Sequence, residues 1–132
     1  MEKILSIEEC SFDNGSYHDK EGYKITTTNQ EILMGIGSMG MCCENFGYLM
    51  SEDNLDDFIG SELIKIESVD VSLNVKVIEH LSNQSVDMDS CMFFNLYTTS
   101  GMLQFVAYNE HNGYYSHDVS FRSNQLTQET RI

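Results

Sequence analysis

Proline is absent from all 132 residues of the chain. A proline-rich segment is one way to build a stiff linker between domains, so its absence removes that kind of divider. The length matches the commonest size of a single domain. We therefore expect one domain over residues 1–126, followed by a polar tail at 127–132.

Long hydrophobic runs are also missing. No apolar stretch approaches the ~20 residues that a membrane-spanning helix requires. The opening segment, MEKILSIEEC, carries acids where a secretory signal peptide needs a basic flank and a long apolar region. These features predict a cytoplasmic protein that does not bind a membrane.

Basic residues are scarce. Seven lysines and arginines stand against 21 aspartates and glutamates, which gives a formal net charge of −14. A field of that sign repels DNA, RNA and anionic membranes. It leaves open a merely solvated surface, a basic protein partner or mimicry of a nucleic acid.

The cysteines form no CxxC pair, so their spacing does not predict a zinc site. Without a signal peptide we expect a reducing compartment and free thiols. The four cysteines are Cys10, Cys42, Cys43 and Cys91. We expect the Cys42-Cys43-Glu44 block to be architectural, with buried thiols and a glutamate that anchors backbone or a tyrosine hydroxyl.

The hydrophobic pattern is mostly that of β-strands. An apolar series at 62–81 predicts one long strand or two. Other segments rich in strand-forming residues predict strands at 3–10, 23–28, 31–36, 91–98, 102–108 and 119–122.

Residues 53–59 give the clearest helix. Leu55, Phe58 and Ile59 fall on one face, and Gly60 can end the helix. We expect an α+β fold, with a twisted, mainly antiparallel β-sheet and one or two short helices in a single domain.

Three catalytic or cofactor patterns have weak support. A Cys43 thiol could pair with His111 or His117, but no helix begins at the cysteine to activate it. Residues 35–40, GIGSMG, fit a dinucleotide-binding pattern without the long helix or βαβ unit that it needs. His111 and His117 could hold a metal, although hydrogen bonding is the commoner role of histidine. We expect no catalytic residue, no metal and no cofactor.

A nucleotide-like ligand suits the aromatic and amide side chains better. Aromatic faces can stack on a base, and asparagine amides can read its edge. Tyr114 and Tyr115 are adjacent, so one of them must face away from the core, where it is a candidate ligand contact. Phe94 and Phe105 are explained better by packing in the core.

Two long blocks carry a resemblance to a known family. They are CCENFGYLMSEDNLDDFIGSELIKIESVDVSLN and MFFNLYTTSGMLQFVAYNEHNGYYSHDV, with SNQL soon after. Over residues 20–126 the chain resembles the first class of Thoeris anti-defence proteins and related phage domains with CCE and NGYY motifs. The resemblance implies a non-catalytic sponge that binds a cyclic ADP-ribose signal made by host TIR-domain enzymes, in the host cytoplasm if the chain is phage-encoded.

The resemblance also implies a homodimer or higher homo-oligomer, whose pockets near the dimer interface use arginines and a stacking aromatic. The chain has only two arginines, which is a poor match to a pyrophosphate. The ligand-binding positions suggested on this sequence are Phe93, Phe94, Asn95, Asn112, Tyr114, Tyr115, His117 and Arg122.

Two alternatives stay open at this stage. If Phe121 points into the core, Arg122 points outward and can grip a phosphate, or it is a surface arginine that pairs with Asp118 or Glu129. The whole protein could instead be an acidic interaction inhibitor of a basic host factor. Binding of that kind weakens steeply with salt, whereas a buried small-molecule site loses less.

Overall fold

The described part of the chain in the computed structural model, residues 1–12, 20–37, 45–111 and 116–132, forms two antiparallel sheets, one helix and two 3-10 turns. The five-stranded sheet has the order β1-β2-β3-β8-β9 and the four-stranded sheet the order β4-β7-β6-β5. The strands are β1 Ile4–Phe12, β2 Lys20–Thr27, β3 Glu31–Gly37, β4 Phe46–Met50, β5 Leu63–Val69, β6 Cys91–Thr98, β7 Gly101–Asn109, β8 Asp118–Arg122 and β9 Thr127–Arg131. The helix α1 is Val75–Asn83, and the 3-10 turns are Leu55–Phe58 and Met88–Ser90.

The β6–β7 hairpin is apolar on both of its faces. Phe94 and Phe105 point toward the five-stranded sheet, where the Phe94 ring stacks on Phe121 with centroids 4.6 Å apart. Phe93 and Val106 point the other way, into a second cluster under α1. Because adjacent strand residues alternate between faces, the sheet is covered by the other sheet on one side and by the helix on the other.

Helix α1 corrects the sequence prediction for residues 62–81. The first half is strand β5, as expected, but the second half is helical. The Asn74 side chain caps the helix by accepting a hydrogen bond from the Val77 amide at 3.2 Å. Val77 and Leu81 are four residues apart and bury together against the sheet, so tertiary packing selects the helix.

The prediction of an α-helix at 53–59 is also wrong. A single 3-10 turn forms at Leu55–Phe58, and within it only Phe58 is buried. The Asn54 side chain contacts the Asp57 carboxylate instead of capping the backbone. Gly60 follows with a φ of 86°, which stops further helical winding.

The segment expected to be a polar tail, residues 127–132, contains a strand. Thr127–Arg131 is strand β9, which pairs antiparallel with β8. Arg131 Nε donates to the Asp118 carboxylate at 2.9 Å across this pair. A tight turn closed by a Ser123 amide bonded to the Leu126 carbonyl joins the two strands. Backbone pairing with β8 therefore holds this segment in the sheet, although its side chains are polar.

The α+β class, the mainly antiparallel pairing and the single domain are confirmed. Strands were correctly predicted where β1, β2, β3, β6, β7 and β8 lie, whereas two sheets replace the one expected. Within the described ranges, no helix has the length and apolar character needed to cross a membrane.

Burial on both faces of β6 predicts that Phe93→Ala and Phe94→Ala each lower the free energy of unfolding by about 3–5 kcal/mol. Urea denaturation measures this change. Ile64→Ala, at a side chain that is 61% exposed on β5, serves as the control and should change stability little. A large loss from only one phenylalanine would mean that one face of the sheet is solvated.

Candidate functional site

A cleft of about 490 Å³ lies between the end of β4 and the first turns of α1. More than half of its lining comes from residues 48–53 and Leu55, which follow the CCE motif in sequence. Strands β1 and β2 add Glu9 and Tyr23, and the helix adds Lys76, Val77 and His80.

Two tyrosines form the aromatic wall of the cleft. The Tyr23 and Tyr48 rings meet edge to face with centroids 5.6 Å apart, and both contact Phe105 in the core. Strand β4 is an edge strand, and the Tyr48 ring is left half-buried there. Phe105 therefore supports the aromatic wall from the core side, and the ring of Tyr48 still reaches the cleft.

The Tyr48 hydroxyl donates a hydrogen bond to the Glu9 carboxylate at 3.0 Å. Burial raises the pKa of Tyr48 far above its ordinary value, and the bond to Glu9 and the charge of Glu9 raise it further. Burial, with the same carboxylate, also raises the pKa of Tyr23. Both phenols therefore stay neutral and present hydroxyl groups at the carboxylate side of the cleft.

The helical wall carries the basic groups of the cleft. Lys76 and His80 are four residues apart on α1 and therefore lie on one helix face. Lys76 Nζ lies 3.6 Å from a Glu52 carboxylate oxygen, and the His80 ring meets Tyr108 with centroids 6.2 Å apart. The Lys76–Glu52 pair is exposed, so it is weak and open to competition from a bound anion.

None of the sequence-predicted ligand residues that the structure describes lines this cleft. Phe93 and Phe94 are fully buried in separate apolar clusters, so a ligand cannot reach either ring in this conformation. Asn95 is buried between β5 and β7 and bonds Gln104 and Tyr97. Asn112, Tyr114 and Tyr115 lie outside the described residues, as do Cys42, Cys43 and Glu44.

His117 and Arg122 lie on or beside strand β8. Phe121 points into the core and leaves the half-buried Arg122 on the opposite face. Asp118 forms its ion pair with Arg131, and no carboxylate of the described residues pairs with Arg122. His117 is buried and stacks on Phe46 at 3.7 Å, with Nδ1 3.2 Å from the Gly37 carbonyl oxygen.

The residues that flank the CCE and NGYY motifs meet in space. The Glu110 amide donates to the Asn45 carbonyl at 2.8 Å, and Asn45 Nδ2 donates to the Glu110 carboxylate at 2.9 Å. Phe46 packs on His117 beside them. Strand β4 thus carries Phe46 at this motif junction and, two residues further on, Tyr48 at the cleft.

The described cysteines are poor nucleophiles. Burial raises the pKa of Cys91 to about 12, with a smaller contribution from Asp87, and burial also raises the pKa of Cys10. A thiol with a raised pKa has little thiolate near neutral pH. Over the ranges that the structure describes, no three histidine, cysteine or acidic side chains are grouped to hold a metal.

A family model described as Domain of unknown function (DUF7448) matches residues 1–121. The match therefore spans the whole cleft, whose lining runs from Glu9 to His80, and the motif junction. No significant match was found among curated proteins or solved structures.

The geometry of the aromatic wall predicts that Glu9→Gln lowers the pKa of Tyr48. A nearby negative charge favours the neutral phenol, so its removal makes ionisation easier, while burial still holds the pKa above its ordinary value. Titration of ring carbons in isotope-labelled tyrosines, assigned with Tyr48→Phe, measures the effect. Glu8→Gln is the control, because it removes an equal charge at a neighbouring carboxylate that pairs with Lys24. An equal drop in both variants would show that overall charge, not the hydrogen bond, controls Tyr48.

Proposed function

The chain belongs to the DUF7448 family, and for this member we propose a non-catalytic phage anti-defence role of the Thoeris-inhibitor type. In this proposal the cleft binds a cyclic ADP-ribose-type signal and keeps it from its effector. The observation that carries the proposal is the mixed chemistry of the cleft, which joins tyrosine rings, carboxylates and basic groups in one cavity.

The size of the cleft supports a small-molecule ligand. Sites for drug-sized ligands and cofactors usually measure about 300–1,000 Å³. The cleft, at about 490 Å³, falls within that range. It suits one compact nucleotide better than an extended peptide or a nucleic-acid strand.

The tyrosine wall supports recognition of a base and its sugars. The half-buried ring of Tyr48 offers a face to a base, and stacking of this kind contributes about 1–3 kcal/mol per base. Carboxylates are the groups that bind ribose hydroxyls in dinucleotide-binding proteins. Glu9, Glu52 and Asp53 supply carboxylates in the cleft, and a cyclic ADP-ribose contains two riboses to use them.

The helical wall supports recognition of a phosphate. Lys76 offers a point charge, and His80 offers a ring nitrogen that donates a hydrogen bond. A net charge of −14 repels anions at long range. Screening limits that repulsion beyond about 8 Å at physiological salt, whereas contacts inside the cleft act at shorter distances.

Binding without turnover is supported by the state of the described thiols. The raised pKa values of Cys10 and Cys91 leave these thiols protonated near neutral pH. Neither cysteine contributes to the cleft lining. These two thiols therefore offer no nucleophile to a ligand in the cleft, which agrees with a protein that stores the signal unchanged.

An acidic inhibitor of a basic host factor is the second candidate, and one surface favours it. The loop around the first 3-10 turn exposes three aspartates, Asp53, Asp56 and Asp57. The ion pair between Lys76 and Glu52 lies nearby. Such a surface would attract a basic protein at low salt. Loss of binding between low and physiological salt would favour this candidate over the nucleotide cleft.

The proposed site predicts that Lys76→Gln weakens binding of cyclic ADP-ribose roughly ten- to hundredfold, because a charged hydrogen bond contributes about 1.5–3 kcal/mol. Titration calorimetry measures the affinity. Mass spectrometry of ligand released by heating should recover it intact.

Lys65→Gln is the matched control. Lys65 and Lys76 are 58% and 65% exposed, and each lies about as far from a glutamate, at 3.5 and 3.6 Å. Both variants change the net charge equally, but only Lys76 lines the cleft. Equal weakening in both would assign the effect to overall charge. Absence of binding by the wild-type protein would reject the nucleotide proposal.

A homodimer or higher homo-oligomer belongs to the same proposal. Strand β5 is an edge of the four-stranded sheet. Its first residue, Leu63, bonds the Glu2 carbonyl, and beyond it the exposed Ile64 favours pairing with a second copy. We expect light scattering at micromolar concentration to give at least twice the monomer mass. A species of 15.1 kDa alone would contradict it.

A further inference from the structure

We infer that Gln104, which lies behind the cleft and does not line it, is the positioning residue that sets the distance between the two cleft walls. Gln104 is buried on β7 and makes hydrogen bonds toward both walls. The relevance to ligand affinity rests on the proposed function, whereas the effect on the shape of the cleft does not.

The backbone of Gln104 holds the β4 wall. Its amide donates to the Ser51 hydroxyl at 2.8 Å, and its carbonyl accepts from the Ser51 amide at 2.9 Å. Ser51 is buried at the end of β4, and Met50 and Glu52 on either side of it line the cleft. Two bonds to one residue fix where this wall turns away from the sheet.

The side chain of Gln104 holds the helical wall. Its Oε1 accepts from the buried Ser72 hydroxyl at 2.6 Å. That hydroxyl in turn accepts from the Asn74 amide at 3.2 Å, and Asn74 caps α1. Lys76 follows the cap by two residues, so the position of its backbone depends on this chain of contacts.

A second buried amide fixes which way the Gln104 side chain faces. Gln104 Nε2 donates to Asn95 Oδ1 at 2.7 Å, and Asn95 Nδ2 donates to the Tyr97 hydroxyl at 3.3 Å. The Tyr97 hydroxyl then donates to the Glu67 carboxylate at 3.1 Å. The carboxylate only accepts, so the direction of each hydrogen bond along the chain follows. Asn95 therefore contributes to the cleft indirectly, through Gln104.

Burial makes this hydrogen-bond network rigid, so that it holds the two walls at a fixed separation. Water does not compete for its hydrogen bonds, because each of its residues is at most 6% exposed: Ser51, Ser72, Asn95 and Gln104. A ligand that touches both walls needs them at one separation, and small displacements of binding groups reduce affinity. Removal of one hydrogen bond in this network should therefore change the shape of the cleft more than a substitution elsewhere that lowers stability by the same amount.

Ser72→Ala tests the inference because it removes the bond between the Gln104 side chain and the helical wall. We expect the amides of Val77 and Ile78 to exchange with solvent several-fold faster in the variant. We also expect affinity for cyclic ADP-ribose, measured by calorimetry, to fall roughly tenfold.

Ser61→Ala is the matched control, because Ser61 is also a buried serine whose hydroxyl hydrogen-bonds a side chain, here the Ser100 hydroxyl, and it does not line the cleft. It should leave exchange at Val77 and ligand affinity unchanged. Unchanged exchange at Val77 in Ser72→Ala, or equal changes in both variants, would overturn the positioning role. If the wild-type protein does not bind the nucleotide, the proposed function fails, and exchange at Val77 still decides the positioning role.

Discussion

The structure depends on the need to bury the β6–β7 hairpin on both faces. Phe94 and Phe105 require a second sheet on one side, and Phe93 and Val106 require a helix on the other. Burial of apolar area on this scale is the main favourable contribution to folding. The helix that covers the outer face also brings Lys76 to β4, so the cleft is a consequence of how the hairpin is covered.

Much of the fold could be predicted from local sequence. β6 and β7 were recognisable because CMFFNLYT and its partner are strongly strand-forming and joined by Ser100-Gly101. Helix α1 was missed because Val71, Leu73, Val75 and Val77 alternate like a strand, although the first three are exposed. The useful signal was Asn74 as a cap, with Val77 and Leu81 one helical turn apart.

Less of the candidate site could be predicted, because its walls come from distant parts of the chain. Tyr48 and Lys76 belong to different elements, and only tertiary packing places them across one cavity. The sequence suggests Phe93 as a stacking aromatic, but a residue on a central strand covered by a helix is buried. Tyr48 and the residues after it form most of the cleft lining, but the sequence suggests no ligand contact among them, because the CCE block before them is expected to be architectural. His117 has a packing role against Phe46 that its position near an NGYY motif did not indicate.

The central claim is that the nucleotide binds between β4 and α1. A titration of isotope-labelled protein with cyclic ADP-ribose, followed by amide NMR shifts, tests it most directly. The account predicts that the largest shifts occur at residues 48–53 and at Lys76–His80, with small shifts at Phe94 and Arg122. Largest shifts around Arg122 and His117, or none anywhere, would contradict it.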